Sequence, residues 1–205
     1  MKIVFDKNRQ IFHLQTKSVS YVMEVAFDRY LLHLYWGKRV EDASSLDYLM
    51  EENSRRLAFY PVAPNTPNFC LGLAPQEAPT YGSGDYRGPA LECRFANGSE
   101  VPALWYKSHE IITGKPALPG LPATYAENQQ EAMTLCITLH DEAAGLDVVL
   151  SYSIFENSDA IVRSTKVINR GANEVALNRV FSFNVDLPQA ADYQFLQLAG
   201  SWGNE

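Results

Sequence analysis

The sequence predicts an all-β protein in which antiparallel sheets stack into a sandwich. Along most of the chain, apolar residues alternate with polar or small ones, which is the period of a half-buried strand. Turn-forming sequences separate these runs, and no long stretch keeps the 3.6-residue apolar repeat of an amphipathic helix. Short alternating runs joined by turns are typical of antiparallel β-sandwiches.

The N-terminal part is predicted to contain a hairpin and two further strands. Residues 2–5 and 11–15 flank the turn-like residues 6–10, as the two strands of a β-hairpin would. Two more alternating runs follow, with apolar residues at Val19, Tyr21, Met23 and Val25 and then at Leu32, Leu34 and Trp36.

Residues 41–90 interrupt this rhythm. The polar segment Glu41–Arg56 has room for one short helix around Leu46–Met50. Because proline cannot donate to a sheet ladder, the proline-rich span that follows is expected to be a long, stiffened loop or a sheet edge. Its prolines are Pro61, Pro64, Pro67, Pro75, Pro79 and Pro89. Long loops are usually functional or disordered, and the aromatic residues of this span argue against disorder.

Strand signals resume at residue 91. Asn97-Gly98 can supply the positive φ of a tight turn, and it predicts a hairpin between residues 91–95 and 101–106. Further alternating runs predict strands at residues 135–139, 148–154, 161–168 and 175–183. A strong turn sequence at residues 169–173 separates the last two of them.

Composition and charge exclude several classes of protein. The chain has 205 residues, 46% of them hydrophobic, and 17 Lys and Arg against 24 Asp and Glu give a net charge of −7. This acidic balance argues against a nucleic-acid partner. Cys70, Cys93 and Cys136 form no CxxC pair and fit the reduced thiols of a cytosolic protein. Without an apolar run of signal-peptide or membrane-spanning length, we expect a cytoplasmic protein with no membrane partner.

Sequence motifs for metal, cofactor or nucleophile chemistry are missing. The four histidines, His13, His33, His109 and His140, have no partner at i+2 or i+4 and no zinc spacing with a cysteine. They are expected on strand faces or at the surface. The GxSxG, GxGxxG and GxxxxGK[ST] patterns do not occur. The sequence motifs therefore predict no metal and no cofactor, and spacing alone does not identify a pair of catalytic carboxylates among the many acidic residues.

One glycine-framed segment, Tyr81–Arg87, concentrates polar and aromatic residues. Asp85 and Arg87 could pair with each other and lock a loop, or they could bond sugar hydroxyls while the tyrosines stack on a sugar ring. Trp36 likewise has two possible roles: its ring could stack on a sugar, or it could pack in the hydrophobic core. Arg55-Arg56, taken alone, is typical of a solvated charge cluster.

Five short sequences follow one another along the chain in a recognisable order. They are Tyr35-Trp36-Gly37-Lys38, the decapeptide Tyr81–Ala90, Tyr106-Lys107-Ser108-His109, the segment Gly114–Tyr125 and Ala199-Gly200-Ser201-Trp202-Gly203. Together they resemble the N-terminal domain of bacterial α-galactosidases of glycoside hydrolase family 36. The resemblance covers essentially the whole chain.

This resemblance implies a two-sheet antiparallel β-supersandwich, similar to galactose mutarotase, in which residues 1–205 form a single N-terminal domain. In the family, a (β/α)8 barrel follows and supplies both catalytic aspartates for releasing terminal α-linked galactose from oligosaccharides such as raffinose and melibiose. Such a barrel needs about 250 residues. Since the chain stops just after Ser201-Trp202-Gly203, we expect the catalytic pair to lie outside it and the chain alone to be inactive.

The resemblance also implies where this domain meets substrate. In tetrameric members of the family, a loop of the domain reaches the active-site mouth of the neighbouring subunit, and its equivalent here is about residues 53–69. The predicted substrate-binding residues are Arg55, Arg56 and Asn68 of that loop, with Asp85, Arg87 and Trp36. The implied partners are α-galactosides, through the parent enzyme, the catalytic barrel of the same or a neighbouring subunit, and further copies of the chain in a homo-oligomer.

Two other functions stay open. A stand-alone galactoside-binding module would use Trp36, Tyr81, Tyr86 and Arg87 as its sugar contacts. A mutarotase-like epimerase would need a histidine and a glutamate that face each other in a sheet concavity, and the unpaired histidines do not indicate one.

Overall fold

The structure is a computed structural model, and it describes residues 1–44, 46, 48–49, 69–82, 84–120, 124–187, 192–197 and 200. Within these residues the regular secondary structure is almost entirely β, and every pairing between the strands is antiparallel. In the same part of the chain, no helix has the length and apolar character needed to span a membrane. The predicted all-β, antiparallel fold class is confirmed.

Two four-stranded sheets and a two-stranded ribbon make up the described part of the fold. The first sheet is a meander of β1 (Lys2–Asp6), β2 (Ile11–Gln15), β3 (Val19–Ala26) and β4 (Tyr30–Lys38). The second sheet is a meander of β6 (Trp105–Thr113), β7 (Ala132–Asp141), β8 (Leu146–Phe155) and β9 (Ser158–Asn169). The ribbon pairs β5 (Leu91–Phe95) with β10 (Val175–Val180), and a short 3-10 turn, Gln129–Glu131, precedes β7.

The hydrophobic core lies between the two four-stranded sheets. Alternate residues of each strand face inward, because side chains of a strand point to opposite faces in turn. The first sheet contributes Phe12, Leu14, Tyr21 and Met23, and the second contributes Leu135, Ile137, Leu150, Tyr152 and Ile154. Leu91 and Cys93 of the ribbon join the same cluster, so the ribbon closes one side of the sandwich.

The first predicted hairpin is confirmed. β1 pairs with β2 from Lys2 opposite Gln15 to Asp6 opposite Ile11. The Asp6 carboxylate accepts hydrogen bonds from the backbone N–H groups of Asn8 at 2.9 Å and Arg9 at 3.2 Å, which stabilises the turn.

One predicted pairing is wrong, although its turn exists. The Asn97-Gly98 turn is closed by a 2.9 Å bond from the Phe95 N–H to the Ser99 carbonyl, but β5 pairs with β10 and not with the residues after the turn. The reason is local: Pro102 has no N–H for a ladder, and the Ala103 N–H donates to the Asp141 carboxylate at 2.7 Å.

The turn at residues 169–173 likewise does not join two paired strands. It packs on the β7–β8 turn, where the Arg170 N–H donates to the Gly145 carbonyl at 2.8 Å. From there the chain leaves β9 and pairs with β5.

The proline-rich span is, from residue 69 onward, a loop of turns and isolated bridges. It is attached to β4 by two backbone bonds, from the His33 N–H to the Pro75 carbonyl at 2.7 Å and from the Glu77 N–H to the Leu31 carbonyl at 3.0 Å. Of the helix predicted around residues 46–50, Tyr48 and Leu49 are helical, and the rest lies mostly outside the described residues.

Candidate functional site

Asp85 and Arg87 form a two-point ion pair. The Arg87 Nε lies 3.0 Å from Asp85 Oδ1, and the Arg87 Nη2 lies 2.9 Å from Asp85 Oδ2. The local sequence favours this geometry because a tight turn joins Gly82 and Asp85 by two backbone bonds, with Gly82 at a φ of +91°. Asp85 is buried, and its contact with Arg87 raises the pKa of that guanidinium.

The same pair connects separate parts of the loop. Arg87 also donates to the backbone carbonyls of Leu71 at 3.3 Å and Ala74 at 2.8 Å. Asp85 accepts a further bond from the Gln76 side-chain amide at 2.7 Å. These contacts serve loop stabilisation, one of the two roles that the sequence leaves open. A direct contact of Asp85 or Arg87 with sugar stays a prediction.

A buried glutamate joins the two sheets. Glu77 is 1% exposed and accepts hydrogen bonds from the Tyr21 hydroxyl at 2.5 Å and the Tyr152 hydroxyl at 2.8 Å. Its carboxylate also lies 2.9 Å from the Arg163 guanidinium and 3.3 Å from His33 Nδ1. Tyr21 and His33 belong to the first sheet and Tyr152 and Arg163 to the second, so one loop residue ties both sheets together.

Electrostatics keep this cluster in one protonation state. Burial raises the pKa of Glu77, but the contacts with His33 and Arg163 outweigh burial and the net shift is downward, so the carboxylate is charged. Burial and the Glu77 charge raise the pKa values of Tyr21 and Tyr152. Both tyrosines therefore remain protonated and donate to the carboxylate.

This buried cluster is continuous with the Asp85–Arg87 pair. Arg163 donates to the Asn184 carbonyl at 2.7 Å, and the Asn184 amide donates to the Gln76 carbonyl at 2.8 Å. Because the Gln76 side chain bonds Asp85, one polar network extends from the core to the loop and to the chain after β10.

His33 and Glu77 are a histidine–glutamate pair that the sequence does not reveal, because the two residues lie on β4 and in an irregular loop. The pair is enclosed in the sandwich: His33 is 6% exposed and Glu77 1%. A sugar ring cannot contact a carboxylate so completely covered, and the epimerase hypothesis gains no support from this pair.

The predicted substrate-binding residues do not all converge. Arg55, Arg56 and Asn68 lie outside the described residues. Trp36 is 51% exposed near the end of β4, and none of the ring contacts among the described residues joins it to Tyr81 or Tyr86. The described chain also holds no group of three or more His, Cys, Asp or Glu placed to bind a metal ion.

Phe69, at the end of the predicted 53–69 loop, is firmly anchored. It is 4% exposed, its ring meets that of Phe27 edge-on with centroids 4.9 Å apart, and its centroid lies 5.9 Å from that of Tyr30. Phe27 has a φ of +55°, an unusual conformation for a bulky residue. The C-terminal end of this loop is therefore held against the β3–β4 turn.

Comparison with known proteins gives a consistent result. The family model for the glycosyl hydrolase family 36 N-terminal domain matches residues 29–205. Alpha-galactosidase AgaA of Geobacillus stearothermophilus is 41% identical over 206 residues, which cover 100% of this chain and 28% of AgaA. The bifunctional alpha-galactosidase/sucrose kinase AgaSK of Mediterraneibacter gnavus is 36% identical, with 100% of this chain and 22% of AgaSK covered.

Solved structures agree with this comparison. The crystal structure of the alpha-galactosidase AgaB from Geobacillus stearothermophilus matches with a TM-score of 0.84 and 40% identity, over 93% of this chain and 25% of AgaB. A variant of AgaA in complex with raffinose matches with a TM-score of 0.79 and 41% identity, over 88% of this chain and 25% of AgaA. The chain thus spans about a quarter of the length of the relatives it matches.

Proposed function

The chain belongs to the family of glycoside hydrolase family 36 N-terminal domains, and we propose that it is the non-catalytic N-terminal domain of an α-galactosidase. The parent enzyme would hydrolyse terminal α-linked galactose in oligosaccharides such as raffinose and melibiose. The observation that carries this proposal is the family match over residues 29–205, supported by likeness to an alpha-galactosidase bound to raffinose.

Catalysis is assigned to another part of the parent. A retaining glycosidase uses two carboxyl groups about 5–5.5 Å apart, both within reach of the sugar. Glu77 and Asp85 are buried and occupied by structural contacts, which makes them unsuitable for that role. We therefore propose that a catalytic barrel of the same or a neighbouring subunit supplies the acids.

The residues from β10 onward support a role in assembly. Apolar side chains that are 39–91% exposed accumulate there, and we call them the C-terminal apolar surface: Leu177, Val180, Phe181, Phe183, Leu187, Tyr193, Phe195 and Leu196. Extended exposed apolar surface marks an interaction site. We propose that this surface contacts the barrel or another subunit of a homo-oligomer.

The loop at residues 53–69 is proposed to frame the active-site mouth, with Arg55, Arg56 and Asn68 as its polar groups toward substrate. The anchored Phe69 gives this loop a fixed end, as a loop that shapes an opening would need. We also propose a cytoplasmic location, which the free thiols of Cys70, Cys93 and Cys136 support.

A chimera tests the proposal. This chain replaces the matching N-terminal 28% of AgaA, and purified chimera, AgaA, the remainder of AgaA and the 205-residue chain are compared on an aryl α-galactoside and on raffinose. We expect the chimera to hydrolyse both substrates and the chain alone to hydrolyse neither. Turnover by the purified chain would disprove the non-catalytic role, and a folded but inactive chimera would disprove the domain assignment.

The proposed role of the 53–69 loop is tested in a separate experiment. In the chimera, Arg55→Ala and Arg56→Ala should lower kcat/KM for raffinose more than for the aryl galactoside, because raffinose extends further from the scissile bond. Lys7→Ala removes an exposed cation in the β1–β2 turn and serves as the matched control. If all three substitutions change kcat/KM equally for both substrates, the hypothesis that this loop lines the active-site mouth is wrong.

A further inference from the structure

A cavity of about 270 Å³ opens beside Tyr81, between the loop and the β5–β10 ribbon. Six of its lining residues are Tyr81, Pro89, Leu91, Glu92, Glu100 and Asn178. Trp36, Asp85 and Arg87, the predicted substrate-binding residues that the structure describes, do not line it. We propose that this cavity binds a single saccharide ring.

Two carboxylates of the cavity, those of Glu92 and Glu100, are paired with arginines. Glu92 Oε1 lies 2.9 Å from an Arg179 nitrogen, and Glu100 Oε1 lies 2.7 Å from Arg94 Nε. In both, the other carboxylate oxygen accepts no hydrogen bond from the described residues and is available to a ligand hydroxyl. Each glutamate is balanced by its arginine, so the cavity favours a neutral polyhydroxyl ligand over an ion.

Asn178 is placed at the cavity by an irregularity of the ribbon. The β5–β10 register shifts between Leu177 and Arg179, which leaves Asn178 as the extra residue of a β-bulge. Bulges redirect a side chain and are common next to binding sites. Within the described chain the side-chain amide of Asn178 makes no hydrogen bond. Its oxygen can therefore accept a hydrogen bond from a ligand, and its nitrogen can donate one.

Tyr81 is the aromatic wall, and its neighbours hold it in place. Thr80 donates to the Pro102 carbonyl at 2.9 Å, and Gly82 is bound in the turn with Asp85. A Cβ on Gly82 would come within 2.7 Å of a Val101 methyl group, so the backbone at this point is closely packed. The Tyr81 ring meets that of Tyr86 edge-on, with centroids 5.5 Å apart, and is 49% exposed.

An exposed aromatic ring next to several hydrogen-bonding groups is suited to a pyranose. The C–H face of the sugar packs on the tyrosine ring. The sugar hydroxyls donate hydrogen bonds to the carboxylates, and they both donate to and accept from the side-chain amide. The volume lies near the lower limit of small-molecule pockets, about 300 Å³, which suits one sugar ring better than a long ligand. The choice of a saccharide over another polyol rests on the proposed function.

Nuclear magnetic resonance titration of the 205-residue chain tests this site. Galactose and raffinose should give saturable amide shifts at Tyr81, Glu92 and Asn178, with a Kd in the millimolar range. Tyr81→Ala and Asn178→Ala should each weaken binding about tenfold, whereas Tyr81→Phe should keep it within about twofold. Tyr125→Ala, at a tyrosine that is 78% exposed and does not line the cavity, is the control and should leave binding unchanged.

Several results would overturn the site. They are the absence of saturation at high sugar, saturation that Tyr81→Ala does not alter, and binding of myo-inositol as tight as that of galactose. Amide spectra of each variant report whether it is folded. If Tyr81→Ala does not fold, Asn178→Ala still tests the site, and unchanged binding by that variant would overturn it. Since no catalysis is measured, failure here is distinct from failure of the chimera.

Discussion

At the scale of single residues, Glu77 contributes most to the organisation of the described chain. It is a charged group inside the sandwich, and it is tolerated because two hydroxyls and a guanidinium compensate for its lost hydration. The charge of Arg163 in turn needs Glu77 as its partner, because the Arg163 side chain is only 7% exposed. Removing one member of such a pair leaves the other charge buried without a partner.

Glu77→Gln should therefore lower the free energy of unfolding by about 3–5 kcal/mol, a large part of the stability of a typical domain. Urea unfolding followed by tryptophan fluorescence measures this loss. Glu142→Gln is the control, because Glu142 is 89% exposed and its contact with His140 should contribute less than about 1 kcal/mol. A loss below about 1 kcal/mol for Glu77→Gln would mean that the buried pair is not important for stability.

The sequence allowed the Asp85–Arg87 pair to be predicted but not the Glu77 cluster, and sequence distance explains why. Asp85 and Arg87 are two positions apart between glycines, so their pairing is a local property. Glu77 meets Tyr21, Tyr152 and Arg163 across separations of 56, 75 and 86 residues. Nothing in its proline-rich surroundings marks it as a core residue.

At the scale of elements, the strands could be predicted better than their partners. The β1–β2 hairpin follows from a local turn and is present. The β5–β10 ribbon joins residues about 80 positions apart. Its pairing depends on the direction that the chain takes after Pro102 and after the 169–173 turn. Periodicity identifies a strand, whereas the choice of neighbour is decided by contacts far away in sequence.

A substitution of Gly171 tests how closely the 169–173 turn packs on the β7–β8 turn. A Cβ on this residue would lie 2.5 Å from the Ala144 carbonyl oxygen, a backbone atom that cannot easily move. Gly171→Ala should lower the free energy of unfolding by about 1–3 kcal/mol, as overpacking does. Gly88→Ala is the matched control, since a Cβ there has nothing within 4 Å, and it should be neutral or slightly stabilising. Equal urea midpoints for the two variants would contradict this account.

Asp159, the second residue of β9, links the second sheet to the β2–β3 turn of the first. Its carboxylate accepts bonds from the Ser18 N–H at 2.9 Å and the Thr16 hydroxyl at 2.5 Å, and also from the Ser18 hydroxyl. These bonds lower the pKa of Asp159 to about 2, below the value of about 3.9 in an unfolded chain. The stabilisation is therefore complete above about pH 5 and is lost as pH falls toward 2.

Asp159→Asn should consequently unfold at lower urea than the unchanged chain at pH 7, and this difference should shrink as the pH approaches 2. Thr16→Val combined with Ser18→Ala removes the two hydroxyl donors but keeps the Ser18 N–H, so the same pH-dependent loss of stability should appear with a smaller amplitude. Urea midpoints measured between pH 7 and pH 2.5 provide the comparison. A difference that is constant over this range would show that the link does not depend on the charge of Asp159.

At the scale of the whole molecule, fold class was predictable because alternation of apolar with polar or small residues recurs in nearly every strand. The division into two four-stranded sheets and a ribbon was not, since it depends on the long-range pairings. Neither composition nor periodicity marks the C-terminal apolar surface, whose side chains are 39–91% exposed. Surface of this kind raises the tendency of a protein to associate.

The isolated 205-residue chain should therefore self-associate through the C-terminal apolar surface. Phe195 and Leu196 are its most exposed members, at 91% and 85%, so Phe195→Glu combined with Leu196→Glu should shift the chain toward monomer in light scattering. Tyr125→Glu places one of these charges at an exposed residue outside the surface and should leave the distribution unchanged. A monodisperse monomer at sub-millimolar concentration would contradict the prediction for the unchanged chain, and an oligomer insensitive to the double substitution would place the contact elsewhere.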